Sequence, residues 1–200
     1  PNILMLDEPF SALDSYLRWQ LEQELGGILA SFGGTSLFVS HNRDEVYRLC
    51  DSVRIISNGS VAAGGDKWEL FNDPQSYDAC LLTGCKNISP VREVSGPSIL
   101  AGDWDMTLDC GGKSTATTEF VGIRAHDIAL TDAEGLPNSY EYEIVSTLRD
   151  TFSYILLIKK KGSQTGKTLR LEMSREKYEA MAVLPHFFHI PPEKILLLDR

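Results

Sequence analysis

Residues 3–6, Ile-Leu-Met-Leu, form an unbroken apolar run that ends in two adjacent carboxylates, Asp7 and Glu8, followed by Pro9. A short run bounded this way reads as a strand buried on both faces, the kind found in parallel sheets. Ligands in open α/β sheets sit beyond the carboxyl ends of such strands, where these carboxylates lie. Neighbouring strand residues point to opposite sides, so Asp7 and Glu8 can serve different partners. The first position suits a Mg2+ ion carrying nucleotide phosphates. The second suits polarising an attacking water. Taken alone, a strand ending in a solvated acidic turn is as good a reading.

The downstream pattern supports an α/β arrangement. Apolar residues at Leu13, Leu17, Leu21, Leu25, Ile28 and Phe32 form a helical stripe that stops at Gly33-Gly34. Residues 35–40 read as a second buried strand, and Asn42 with Glu45 as a capping box opening a second helix. Residues 52–57 read as a third strand, with Asn58-Gly59 as a hairpin turn and 60–63 as the return. Strand, helix, strand, helix, strand is the order of a mostly parallel sheet. Short helices at 66–71 and 76–84 finish a first domain, placed at residues 1–86. Beyond that the period changes. Short β-like segments at 88–94, 106–109, 119–124, 141–149, 154–159, 168–173 and 195–198 are separated by Gly, Pro and Asn clusters, with one helix at 175–182. These predict a small β barrel or sandwich over residues 87–200.

The formal charge of −9 argues against a nucleic-acid partner, because phosphate backbones call for a Lys/Arg surplus. Residues 87–200 are less acidic than 1–86, which permits an anion site there. The four cysteines, at 50, 80, 85 and 110, make no C-x-x-C pair and read as free thiols of a reducing compartment. No apolar run reaches the ~18 residues of a membrane span, and no signal peptide is visible. The start at Pro1, already inside a strand, is expected of a fragment. Trp19, Trp68 and Trp104 are scattered and read as packing residues. Lys159-Lys160-Lys161 reads as a solvated turn.

The string Leu6-Asp7-Glu8-Pro9-Phe10-Ser11-Ala12-Leu13-Asp14, then a helix, then a strand ending in Ser40-His41, resembles the ABC-transporter ATPases. There the segments are the Walker B strand, the D-loop and the H-loop, and the ordered match runs to about residue 65. The resemblance implies a partial P-loop NTPase fold and an ATP-hydrolysing subunit. It implies that Asp7 holds Mg2+, Glu8 orients or deprotonates the hydrolytic water, and His41 touches the γ-phosphate. Ser11 and Asp14 would lie at the interface of a homodimer that shares two ATP molecules. It also implies integral-membrane permease subunits as partners, on the cytoplasmic face of the cell membrane.

The phosphate-cradling G-x-x-x-x-G-K-[ST] loop is absent from the chain. Gly112-Lys113-Ser114 has Thr107 where the first glycine belongs, and Gly166-Lys167-Thr168 has Lys161 there. In the family that loop, the L-S-G-G-Q signature and the Q-loop precede the Walker B strand. These 200 residues alone are therefore expected not to hydrolyse ATP.

Glu119-Phe120-Val121-Gly122-Ile123-Arg124-Ala125-His126 resembles a segment of the oligonucleotide-fold-like (TOBE) regulatory domains of importer ATPases, with Ala125 where that pattern usually has Pro. The closing stretch from His189 to Glu193 fits the end of such domains. Around Ser15-Tyr16-Leu17-Arg18, residues 41–48 and residues 83–87, the chain is similar to molybdate-importer ATPases. That similarity ranks molybdate or tungstate ahead of sulfate, and oxyanions ahead of sugars, polyamines or iron. Arg124, His126 and Ser174 are candidates for an oxyanion ligand set, although Ser174, followed by Arg-Glu-Lys, equally reads as a helix cap. A regulatory or dimerisation module without a ligand is the alternative in a different class, and a soluble ABC protein outside transport ranks last.

Overall fold

The computed structural model describes residues 2–113 and 117–199, so Ser114 of the Gly-Lys-Ser segment lies outside the described residues. The chain divides into two compact units, residues 1–72 and 73–200. The first unit ends ahead of the boundary at residue 86 expected from the sequence. Residues 75–77 are tied instead to the carboxyl end of the chain. Tyr77 N–H donates to the Asp199 carbonyl at 3.0 Å, and Asp199 N–H to that of Gln75 at 2.9 Å.

The first unit runs β1 (Ile3–Asp7), α1 (Ser15–Ser31), β2 (Thr35–Val39), α2 (Arg43–Leu49), β3 (Ser52–Ser57), β4 (Ser60–Asp66) and α3 (Lys67–Asn72). β1 and β2 pair in parallel, Ile3 against Thr35 through Asp7 against Val39. The α1 connection between them is opened by Asp14, whose carboxylate accepts from the N–H groups of Tyr16 and Leu17.

The expectation that both strands are buried on both faces is corrected. In-register parallel residues share a face, and Ile3, Met5, Leu37 and Val39 make one that is exposed, with Met5 71% accessible. Leu4, Leu6 and Phe38 are half-buried on the other, where Phe38 meets Phe10 with ring centroids 6.2 Å apart. The third strand is corrected as well. β3 does not extend this sheet but pairs antiparallel with β4 in a separate hairpin. Its turn residues, Asn58 and Gly59, have φ of 49° and 77°, the left-handed pair a tight hairpin turn requires. So only a two-stranded parallel sheet stands among the described residues, and the unit is mixed α/β.

The buried face of α1 departs from the expected stripe. Ile28 is exposed, whereas Glu22 is buried at 3% and takes Arg48 of α2 at 2.6 and 2.9 Å through a single carboxylate oxygen. A charge so enclosed persists because it is paired.

The second unit holds α4 (Tyr77–Leu82), β5 (Asn87–Ser95), β6 (Ser98–Ala101), β7 (Met106–Asp109), β8 (Phe120–Ile123), β9 (Ala129–Thr131), β10 (Ser139–Arg149), β11 (Ser153–Lys160), β12 (Leu169–Ser174), α5 (Arg175–Glu179), β13 (Phe187–His189) and β14 (Leu196–Leu198). They form two five-stranded antiparallel sheets, ordered β12-β11-β10-β13-β9 and β14-β8-β5-β6-β7. Ile99, Met106 and Leu108 of one sheet and Leu156, Leu171 and Phe188 of the other are sealed in one apolar core, as β-rich patterning predicted.

Two buried asparagines join the sheets. Asn87 at the head of β5 donates to the carbonyls of Ile123 (3.0 Å) and Arg170 (2.8 Å) and accepts from Arg170 N–H (2.7 Å). Asn138, at φ 53°, accepts from Asp109 N–H and donates to the carbonyls of Asp109 and Ile190. Of the tryptophans, Trp104 is in this core, while Trp19 and Trp68 are exposed. The lysine run is not a free turn. Lys160 ends β11 and donates to the Asp105 carbonyl at 2.7 Å, and Lys161 pairs with Glu141.

Candidate functional site

β1 carries Asp7 to its last position, and the chain turns sharply at Glu8, which adopts φ 45°. A residue with a Cβ rarely takes the left-handed region, so the conformation is held by contacts. Glu8 N–H donates to the Val39 carbonyl at 2.9 Å, extending the β1–β2 ladder by one bond. Its carboxylate Oε1 accepts from His41 N–H at 2.9 Å and lies 2.8 Å from His41 Nδ1. Two residues far apart in sequence thus meet at the carboxyl ends of adjacent parallel strands, a contact the sequence did not predict. The hydrogen bond from the His41 ring, with that from its backbone N–H, holds the Glu8 carboxyl below the usual carboxylate range against the opposing effect of burial. The pair faces solvent, with the His41 side chain 82% and that of Glu8 33% accessible.

The loop carrying His41 is fixed from behind by Glu45. This residue, 4% accessible, accepts from Ser40 Oγ at 2.7 Å and from Asn42 Nδ2 at 3.0 Å. Asn42 Oδ1 in turn accepts from Asp44 and Glu45 N–H groups and caps α2; the reciprocal half of the expected capping box is altered, because Asn42 N–H donates to Ser40 Oγ and Glu45 takes Asn42 Nδ2. Arg18 of α1 approaches Glu45 at 3.8 Å and donates to the Leu13 carbonyl at 3.2 Å. Arg18 therefore ties the loop after β1 to the loop after β2. The roles of Glu45 as a buried anchor and of Arg18 as a bridge between the two loops were not read from the sequence. The available signal was a Glu three residues past a cap, placed one helical turn inside α2.

Asp7 is exposed and follows Met5 on the open face of the sheet, the last residue of β1 before the turn at Glu8. Ser11 is exposed, and its N–H closes a turn onto the Glu8 carbonyl at 3.2 Å. Asp14 is exposed and spends one carboxylate oxygen on the α1 cap. Among the described residues no group of three or more His, Cys, Asp or Glu side chains gathers as a metal cage. A lone exposed carboxylate at a strand end fits Mg2+, which keeps waters and phosphate oxygens and takes one or two carboxylates from a protein.

The three remaining candidates belong to the second unit. Arg124 follows β8 and donates to the Thr83 carbonyl at 3.4 Å, and His126 is exposed in the turn beyond it. Ser174 accepts from Lys177 N–H at 3.3 Å and caps α5, the helix-cap reading. A cavity of about 610 Å3 opens elsewhere in this unit. Its lining carries Asp132, Glu134, Glu141 and Glu143 against Lys161 and His186. That excess of carboxylates repels an oxyanion.

No family model matches the chain. It is similar to the sulfate/thiosulfate import ATP-binding protein CysA of Vibrio cholerae, 32% identical over 155 residues, 73% of this chain and 38% of that protein. The CysA protein of Caulobacter vibrioides is 35% identical over 134 residues, covering 66% and 38% of the two chains. CysA 2 of Rhizobium meliloti is 34% identical over 137 residues, covering 68% and 36%. The chain thus spans little more than a third of the length of the curated relatives it matches. Those relatives are import ATP-binding proteins, and their names give sulfate and thiosulfate, not molybdate. No helix among the described residues is long and apolar enough to cross a membrane.

Proposed function

We propose that the chain is part of the ATP-hydrolysing, energy-coupling subunit of a bacterial ABC importer. The observation that carries this reading is the Glu8–His41 contact at the carboxyl ends of parallel β1 and β2, in a chain similar to import ATP-binding proteins. ATP and Mg2+ are the implied cofactors. Mg2+ would neutralise phosphate charge, with Asp7 as its carboxylate.

Glu8 uses Oε1 on His41 and leaves Oε2 to accept from a water. The His41 hydrogen bonds lower the Glu8 carboxyl below its ordinary range, which makes its carboxylate a weaker base, so we assign it first the orienting of that water. His41 Nδ1 is taken up by Glu8, so Nε2 is the ring nitrogen that would meet a phosphate oxygen. Ser11 and Asp14 sit on the loop after Glu8, the place for contact with a second ATPase subunit. The partners are then a homodimer mate and membrane permease subunits, with the subunit on the inner face of the membrane.

For the cargo, the relatives' names favour sulfate or thiosulfate over the molybdate or tungstate ranked first from sequence, and both remain within one oxyanion class. The second unit would be the TOBE-like regulatory domain. Its acidic cavity gives no support to an anion there, which leaves Arg124 and His126 as candidates for sensing, while Ser174 is used as the α5 cap.

The test is ATP turnover by a complete subunit carrying this segment. Glu8→Gln should lower kcat by at least ~100-fold with ATP binding retained, and His41→Ala should do likewise. Turnover unchanged in Glu8→Gln refutes the assignment. Calorimetric titration of the chain with sulfate, thiosulfate and molybdate separates a sensing second unit, which gives saturable heat, from one without an anion ligand.

A further inference from the structure

Cys80 and Cys85 are both fully enclosed and pack together beside β14. α4 ends between them, and Gly84, at φ 99°, turns the chain back so that Cys85 N–H donates to the Cys80 carbonyl at 3.0 Å. Adding the covalent reach of each Cα to that bond limits their separation to about 7 Å. A disulfide spans roughly 4.4–6.8 Å between Cα atoms.

Both sulfurs converge on the same stretch of β8. Cys85 Sγ lies 3.3 Å from the Ile123 carbonyl, and a Cβ built on Gly122 would come within 2.7 Å of Cys80 Sγ. The missing side chain at Gly122 makes the space that Cys80 occupies. The two thiols are within hydrogen-bonding reach of each other. Cys50 and Cys110 have no such neighbour. Burial pushes the Cys110 thiol up to about 11 and that of Cys50 above its ordinary value, which makes both poor nucleophiles.

We propose that Cys80 and Cys85 are a peroxide-oxidisable dithiol that closes to an intramolecular disulfide inside the second unit. Hydrogen peroxide is small enough to reach an enclosed thiol during brief opening of the six-residue α4. One sulfur attacks a peroxide oxygen and the O–O bond breaks. The hydroxide released takes the thiol proton and leaves as water, giving a sulfenic acid. The second sulfur displaces that hydroxyl, an S–S bond forms, and a second water departs. Two thiols and one peroxide become one disulfide and two waters, so sulfur loses two electrons and peroxide gains them. Ring closure halts oxidation at a level that a dithiol reductant reverses, and it fastens the end of α4 to the approach of β5.

Trypsin cuts after Lys67 and Lys86 and leaves both cysteines on one peptide. The chain is treated with a modest excess of peroxide, quenched, blocked with iodoacetamide, digested and weighed. The expected peptide is unalkylated and two hydrogens lighter, forms before Cys110 is modified, and returns to the doubly alkylated mass after dithiothreitol. In Cys80→Ser, Cys85, the thiol of the pair held low at about 7, should instead advance to sulfinic acid. The wild-type mapping stands without that variant should it fail to fold. A peptide still alkylated at both positions, one carrying sulfinic acid in the wild type, or a cross-link to Cys50 overturns the proposal.

Discussion

Replacing Asn87 by Ala tests the account of how the two sheets of the second unit are joined. Asn87 is 3% accessible and its side chain makes three hydrogen bonds, two to Arg170 of β12 and one to Ile123 of β8. The Ile123 carbonyl keeps the Cys85 thiol as a second partner, but the Arg170 N–H and C=O lose theirs. A buried polar group stranded in this way costs about 1–3 kcal/mol, so the pair predicts a loss of about 3 kcal/mol. With a urea m-value of about 2 kcal/mol per molar, the midpoint should fall by about 1.5 M. Trp104 is the sole tryptophan of the second unit and is buried, so fluorescence in a Trp19→Phe, Trp68→Phe background reports on this unit alone. Asn87→Asp should be worse than Ala, because a carboxylate oxygen then replaces the amide that faces two carbonyls. A midpoint shift under about 0.5 M for Ala, or Asp milder than Ala, would refute the reasoning.

Gly122→Ala places a methyl group against Cys80 Sγ and should cost about 1–3 kcal/mol in the same urea assay. Adding Cys80→Ala should recover part of that loss, and strict additivity of the two would sink the explanation. Asp14→Ala should cost about 1 kcal/mol through the lost α1 cap, read as faster amide exchange at Tyr16 and Leu17, while Asp14→Ser should not. If Asp14 also couples two nucleotide sites, Asp14→Ser slows turnover of the complete subunit with the helix intact. The Glu8 carboxyl titrates lower in the folded chain than in the unfolded one, so its contribution is fully present above the unfolded value and is lost as pH falls through the folded one. The Glu8 side-chain carboxyl resonance, followed by NMR, should titrate below the usual glutamate range, and a midpoint at or above that range contradicts the contact.

The parts of the fold written in local chemistry were readable. Asn58-Gly59 gave its hairpin, Asn42 with Glu45 its cap, and the alternating segments of the second unit their strands nearly to the residue. β6, β9 and β13 were missed, although β7, β8 and β14 are just as short, so length alone does not explain it. Phe187-Phe188-His189 becomes a strand only through its neighbours β10 and β9. The burial of Glu22 and Glu45 runs against hydrophobic periodicity and depends on Arg48, Ser40 and Asn42, which only tertiary structure brings near. The site divides in the same way. Glu8 and His41 were legible from their order along the chain, whereas the loop support from Arg18 and Glu45 was not. For Arg124, His126 and Ser174 residue type alone was the guide, and Ser174 is a cap.

The division of the chain after Asn72 carries a practical chemical consequence. The next two residues are Asp73, which is exposed, and Pro74. An Asp-Pro peptide bond is unusually labile in dilute acid, since the aspartyl carboxyl attacks its own carbonyl carbon and the basic prolyl nitrogen departs readily. Mild acid therefore has a scissile bond at the seam. It would release the segment bearing Glu8 and His41 from the two-sheet segment without a protease, so that each could be refolded and assayed by itself.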